Sequence, residues 1–521
     1  MGADNAIEDE SDPAAPDSQP PPSASPEDDA AGVSPRHARS LLTGLHIGNF
    51  KCYSAPDALE VAHVPFSKLT LLYGVNSAGK STILQALLVL AQTLNQAPLP
   101  GAAWPRIVLD GPLARLGTFT DVVHRHRAED AITLGVSWLN TQDYRRRLDY
   151  SFSGENGDLV RAELWLDEVD EDFSDLPNAV FERAPLVEQR VGDRAFLLGT
   201  GESSEAIVDL LRPYVPDENK NDIEPPEPAA RPVVSLVGLR IAYLYGWWTE
   251  DGRLLPVSPI VIEASSRCFD ALLVDLDSVV GGVRHLGPAR AMPHREPVRV
   301  SEEVVGVGTG GEAVLRLLTS KLEGQETVRR VNTVLSKRFK LPYRLAPVWY
   351  RRERRRRRSD AGNDEPRIAN VLLERDGLTV SLASVGFGIV HLLPIIVESV
   401  RSNNRPLLIE QPETHLDPDL GVDLADYLVN TCNGVEYSDA QPQIVVETHS
   451  ENILIRLTTL VAGNPQLAEV VRIIDIDPAG PNEPPLIVSQ RWDDHGDLDP
   501  GIKRFENSRR RAWGEEIDDA G

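Results

Sequence analysis

Leu69-Thr70-Leu71-Leu72-Tyr73-Gly74-Val75-Asn76-Ser77-Ala78-Gly79-Lys80-Ser81 decides how the rest of the chain is read. Its first five residues form a β-favouring run with almost no polar alternation, which predicts a strand buried on both faces, as in a parallel sheet. Gly74 to Ser81 is a complete G-x-x-x-x-G-K-[ST] pattern, and the segment from Ser81 to Leu94 is apolar nearly all round, which predicts a buried helix. Strand, glycine loop and helix in that order make a phosphate cradle. Successive backbone N–H groups turn toward an anion at the helix N-terminus, the lysine neutralises the β and γ oxygens, and the hydroxyl binds Mg²⁺. The expected nucleotide contacts are Gly74, Asn76, Ser77, Gly79, Lys80, Ser81 and Thr82, with Ser81 on the metal.

Such a loop needs an acid at the end of a neighbouring strand to hold the metal's water shell. Leu407-Leu408-Ile409-Glu410-Gln411-Pro412-Glu413 is an apolar strand ending in carboxylates, and Glu410 is expected in that place. Around it the pattern predicts a helix from about 388 to 400, a helix from about 420 to 428 and a strand at 444–446. Strands alternating with helices imply a parallel sheet. Ser384-Val385-Gly386-Phe387-Gly388 lies just before the first of these helices, and Glu447-Thr448-His449-Ser450 follows the last strand.

In that order the segments resemble the ATP-binding-cassette-type ATPases of the SMC, RecF and overcoming-lysogenization-defect group. They correspond to Walker A, an S-x-G-x-G signature, Walker B, a D-loop at Leu416-Asp417-Pro418 and a switch histidine at His449. Leu45-His-Ile-Gly-Asn-Phe-Lys51 is similar to the opening strand of that group. A narrower similarity is to bacterial AAA-type ATPases of the RecF-like branch whose Walker B reads E-Q-P-E-x-H-L-x-P, here Glu410 to Pro418. Leu286-Gly-Pro-Ala-Arg290 and Leu116-Gly-Thr-Phe-Thr-Asp121 also look familial, and turn and packing roles are favoured for both.

The resemblance covers 41–135 and 370–490. It implies ATP and Mg²⁺ as cofactors and a head that forms a homodimer, or a higher homo-oligomer, around ATP. Ser384, Gly386 and Gly388 of one subunit would then face the phosphates held by the other, with Asp417 beside them. The catalytic group would be Glu410, Gln411, Glu413 and His449. In the usual cassette a glutamate follows the metal acid, and here that residue is Gln411. An amide is not a useful base at neutral pH. Either Glu413 takes over as base and turnover is slow, or the protein stays in an ATP-closed state as a scaffold for a protein partner.

The expected fold class is α/β: an ATP-binding-cassette-type P-loop head with a mixed sheet core and helices, an inserted α+β lobe and no long coiled coil. Residues 1–40 are acidic and rich in Pro and Ser and cannot offset their ordering entropy, so a disordered tail is expected there. ATPase lobe I with Walker A is assigned to 41–140, a β-rich and helical inserted lobe to 141–330, lobe II with signature, Walker B and His449 to 331–495, and a polar tail to 496–521. In a transporter subunit Walker A and signature share one compact domain, whereas Lys80 and Ser384 lie far apart here.

With 53 basic and 79 acidic residues the 521-residue chain carries a net charge of −26 and repels nucleic acid as a whole. DNA contact would need a local patch, and Arg351, Arg352, Arg354, Arg355, Arg356, Arg357 and Arg358 form one; the plainer reading is a solvated hairpin tip. The acidic tail is expected to compete for it. Only Cys52, Cys268 and Cys432 occur, which argues against a disulfide framework, and no run of about 18 apolar residues suggests a membrane span. A cytoplasmic ATPase is expected, acting in a nucleic-acid-related or anti-phage process beside a separate nuclease or other effector. Too few residues follow His449 for a fused nuclease, and Asp475 and Asp477 read as a strand end.

Overall fold

The strand Leu69–Gly74 lies near the middle of a six-stranded sheet. This computed structural model describes residues 39–502, apart from 56–60, 97–103, 168–178, 184–195, 201, 238, 294, 303, 351–367, 402–404, 436, 438–440, 479–482, 494–496 and 500. The sheet order is Arg284–Leu286, Leu407–Glu410, Ile444–Thr448, Leu69–Gly74, Val471–Asp477 and Leu486–Ser489. The first five strands are parallel, and the last closes one edge antiparallel.

These strands are continuous apolar runs because both faces are covered. Leu72, Leu408, Val445 and Ile474 point into one core, shared with the helix Lys80–Leu94 and a large antiparallel sheet. Their chain neighbours Leu71, Leu407, Ile409, Ile444 and Val446 point into a second core. The helices Gly324–Lys337, Phe387–Ser399, Pro418–Cys432 and Glu451–Gly463 supply the other side of that second core. The helix Lys80–Leu94 is wedged between two sheets, so every residue except Ser81 and Gln85 is buried. That burial accounts for its apolar surface on all sides.

The antiparallel sheet has ten strands. It runs from Leu254–Pro256 through Arg240–Trp248, Arg231–Val237, Phe196–Gly199, Ala179–Arg183, Asp158–Asp167, Arg145–Ser153, Ile132–Leu139 and Leu41–Gly48 to Ala62–Pro65. The expected boundary at 140/141 falls inside it, where Ile132–Leu139 pairs with Arg145–Ser153 from Ile132↔Phe152 to Leu139↔Arg145. Arg284–Leu286, from the segment assigned to the inserted lobe, forms the edge of the six-stranded core. Local alternation predicts such strands but not how far their pairing extends.

At that edge, Glu398 is 2% exposed, hydrogen-bonds the guanidinium of Arg284 and accepts Val307 N–H at 2.6 Å. It also pairs with Arg401 at 3.5 Å. The network fastens Phe387–Ser399 to the core sheet. A smaller antiparallel sheet contains Arg344–Tyr350, Ile368–Arg375 and Leu378–Ser381. Arg351 to Arg358 and nearly all of the two expected tails lie outside the described residues. Among the described residues the longest helix is Pro259–Leu276, with 18 residues, and no helix is long and apolar enough to cross a membrane.

Candidate nucleotide site

The parallel strands end on one side of the sheet, where open α/β folds place ligands. There Gly74 leaves its strand with φ +157°, and a Cβ would lie 2.5 Å from the carbonyl oxygen of Ile476 on the next strand. At the other end of the loop Gly79 caps the helix in a left-handed conformation, φ +104°, against Tyr53 and Cys52. Glycine is required at both positions, because a side chain would clash with the first and strain the second.

A cleft of about 360 Å³ opens at this point, lined by Lys51, Cys52, Asn76, Ser77, Gly79, Lys80, Ser81, Thr82, Gln411, Glu447 and His449. Lys80 is 3% exposed and donates to the carbonyls of Gly74 at 2.9 Å and Val75 at 2.7 Å. The amine is thereby held at the mouth of the loop. Ser81 donates from Oγ to Glu447 Oε1 at 2.9 Å. A hydroxyl, a carboxylate and a lysine facing a glycine loop at a helix N-terminus fit Mg²⁺ and nucleotide phosphates in charge and donor type.

Glu447 was not among the expected site residues. It is the penultimate residue of the strand Ile444–Thr448, between the Walker A strand and Leu407–Glu410. Burial raises its carboxyl pKa; the Ser81 hydroxyl opposes the shift and Glu410 adds to it. Its Oε2 is buried with no protein hydrogen-bond partner. The one signal in the sequence was a carboxylate closing an apolar strand, beside His449.

Glu410 is engaged on the side away from the Walker A strand. Its Oε1 lies 2.7 Å from His285 Nε2 on the edge strand, and its carbonyl accepts from Arg290 at 3.1 Å. Arg290, the last residue of the L-G-P-A-R segment, is 8% exposed, with Nε and Nη1 buried and unpartnered. Burial lowers its pKa to about 10, with Glu410 and Glu413 opposing. Gln411 lines the cleft in a left-handed conformation, φ +44°, and donates its N–H to the Glu447 carbonyl at 2.7 Å. Glu413 accepts the His449 N–H at 2.9 Å, and its Oε2 is buried and unpartnered. Burial and Lys80 lower the pKa of the His449 imidazole.

Glu413, Asp417 and His449 also line a second cleft of about 280 Å³ with Ser450 and Asn452. Asp417 caps the helix Pro418–Cys432 by accepting from Leu420 N–H. Ser384 and Gly386 are exposed and, like Gly388, lie outside the lining of both clefts. Gly386 caps Phe387–Ser399, and Phe387 beside it is 53% exposed.

The family model described as AAA ATPase domain matches residues 331–454, and the one described as AAA domain, putative AbiEii toxin, Type IV TA system, matches 69–231. The chain is a P-loop ATPase of the AAA class. No curated protein matches this ATPase significantly. Among solved structures it is similar to the Smc head domain of Pyrococcus furiosus with an extended coiled coil, bound to the C-terminal domain of ScpA. That similarity has 12% identity and a TM-score of 0.38, covering 90% of this chain and 100% of that one. The SMC head domain of Thermotoga maritima gives 11% and 0.37, covering 86% and 98%. The recombination mediator RecF bound to ATP gives 10% and 0.29, covering 79% and 93%.

Proposed function

We propose that this ATPase is a slow, nucleotide-operated switch that binds Mg-ATP in the cleft at Lys80 and Ser81 and closes as a homodimer. The observation that carries the reading is the cleft itself, where the glycine loop, Lys80, Ser81, Glu447, Gln411 and His449 converge. Lys80 would exchange its two carbonyl partners for phosphate oxygens, and His449 would meet the terminal phosphate. Mg²⁺, when bound, neutralises charge developing on those oxygens.

The exposure of Ser384 and Gly386, away from the cleft of their own chain, supports a role against nucleotide held by a second copy. Gln411 can orient a water by hydrogen bonding but cannot take its proton. Glu413, with one unpartnered oxygen beside His449, is the base this reading assigns, and slow turnover follows from its standing outside the first cleft. The process served is a nucleic-acid-related or anti-phage one with a separate effector, in keeping with the toxin–antitoxin description of one matching family. A cytoplasmic location belongs to the same reading.

Gln411 favours a second reading, in which the closed ATP dimer is a scaffold that does not hydrolyse. Sedimentation of the wild type and Ser384→Arg with Mg-ATP tests the switch. The wild type is expected to dimerise with nucleotide and the variant to remain monomeric while still binding ATP. A wild type that stays monomeric contradicts both readings.

A further inference from the structure

The Walker B position is not where the Ser81 hydroxyl finds its carboxylate. Ser81 donates to Glu447 at 2.9 Å, whereas Glu410 is engaged by His285 on its far side. Register makes the contrast sharper, because Glu447 pairs with Leu72 of the Walker A strand on one side and with Glu410 on the other. Neighbouring strands lie about 4.8 Å apart, so Glu410 stands one strand spacing farther from the loop than Glu447. Paired residues of a parallel sheet project to the same face. Leu72 and Val445 place that face against the helix that begins at Lys80. Glu447 therefore projects toward the N-terminus of that helix, and Glu410 is drawn toward the opposite edge.

We propose that Glu447, rather than Glu410, is the carboxylate that completes the Mg²⁺ shell with Ser81, and that Glu410 is a structural anchor for the edge strand. This rests on the reading of the cleft as a Mg-ATP site. Mg²⁺ keeps several waters and is usually held by one or two carboxylates together with phosphate oxygens. Glu447 suits that task because Oε1 already accepts from the Ser81 hydroxyl, while Oε2 is buried with no protein donor. A buried acceptor left without a donor is costly, and water bound to a cation supplies donors. The backbone strengthens the placement: the Glu447 carbonyl accepts the Gln411 N–H at 2.7 Å, so the ends of these two strands are locked side by side.

The experiment is calorimetric titration of ATP, with Mg²⁺ and with EDTA, into wild type, Glu447→Gln, Glu410→Gln and Lys80→Ala. Mn²⁺ resonance spectra of each nucleotide complex give a second readout. Glutamine keeps an acceptor for Ser81, and a melting curve for each variant confirms that it is folded. Glu447→Gln is expected to bind ATP in EDTA as the wild type does and to lose about 10- to 100-fold in metal affinity, with an altered Mn²⁺ spectrum. Glu410→Gln is expected to keep the wild-type metal dependence. The assignment is overturned if Glu447→Gln retains that dependence or if Glu410→Gln abolishes it. A wild type that binds no more nucleotide than Lys80→Ala would overturn the ATP reading and the assignment with it.

Discussion

His285 Nε2 lies 2.7 Å from Glu410 Oε1, with the two side chains only 10% and 14% exposed. The contact joins the last residue of one core strand to its edge neighbour, so the carboxylate expected at the Walker B position is already occupied by the protein. Removing the imidazole leaves Glu410 without this partner. His285→Ala is expected to cost about 1–3 kcal/mol, the usual penalty for a buried group left unpaired. Urea unfolding measures it, and an unchanged midpoint would show that the pair contributes nothing.

Glu398 meets Arg284, Arg401 and the Val307 N–H, all within the protein interior. Truncating it takes the carboxylate away from Arg284 and leaves Arg401 with Glu323 and the carbonyls of Val304 and Val305. Glu398→Ala is expected to destabilise the fold by about 3–5 kcal/mol, as when one partner of a buried ion pair is removed. Glu398→Gln, which keeps an acceptor for Val307, should cost less. Thermal melts of the two variants rank them, and equal losses would count against the network.

The helix Lys80–Leu94 is clamped between two sheets, and Leu87 on it is 1% exposed. Leu87→Ala opens a cavity there, and the expected cost is about 2–5 kcal/mol. Chemical denaturation reads the loss, and a value under about 1 kcal/mol would mean that the two sheets close up over the gap.

His46 stacks on His63 at 4.8 Å, is 2% exposed, and has neither ring nitrogen hydrogen-bonded. Burial, with Arg147 and His63 adding to it, holds its pKa well below the ordinary value of 6.5. Below about pH 6.5 the unfolded chain therefore binds a proton that the folded chain refuses. Stability from this residue is present above that pH and is lost as the pH falls toward the folded value. The urea midpoint of the wild type should drop from pH 7 to pH 5, and that of His46→Phe should drop less. Parallel curves would assign the pH dependence to other groups.

The Walker A segment was legible because a strand covered on both faces must be apolar at every position, and a loop that turns at Gly74 and Gly79 must carry glycine there. Leu407–Glu410 and Ile444–Thr448 were readable on the same grounds. The ten-stranded sheet was not, because alternation in Ile132–Leu139 and Arg145–Ser153 predicts strands without saying that eight more extend the same sheet. Glu447 escaped notice for a different reason. Its partner Ser81 lies 366 positions away, and nothing local distinguishes it from any acid near the end of a strand.

The most direct test of the account is the rate of phosphate release from Mg-ATP by the wild type beside Lys80→Ala, with and without double-stranded DNA. Slow release that disappears in Lys80→Ala is the predicted result, and acceleration by DNA would tie the switch to nucleic acid. Release at the same rate in both proteins would contradict the claim that the cleft around Lys80, Ser81 and Glu447 is where ATP is bound and turned over.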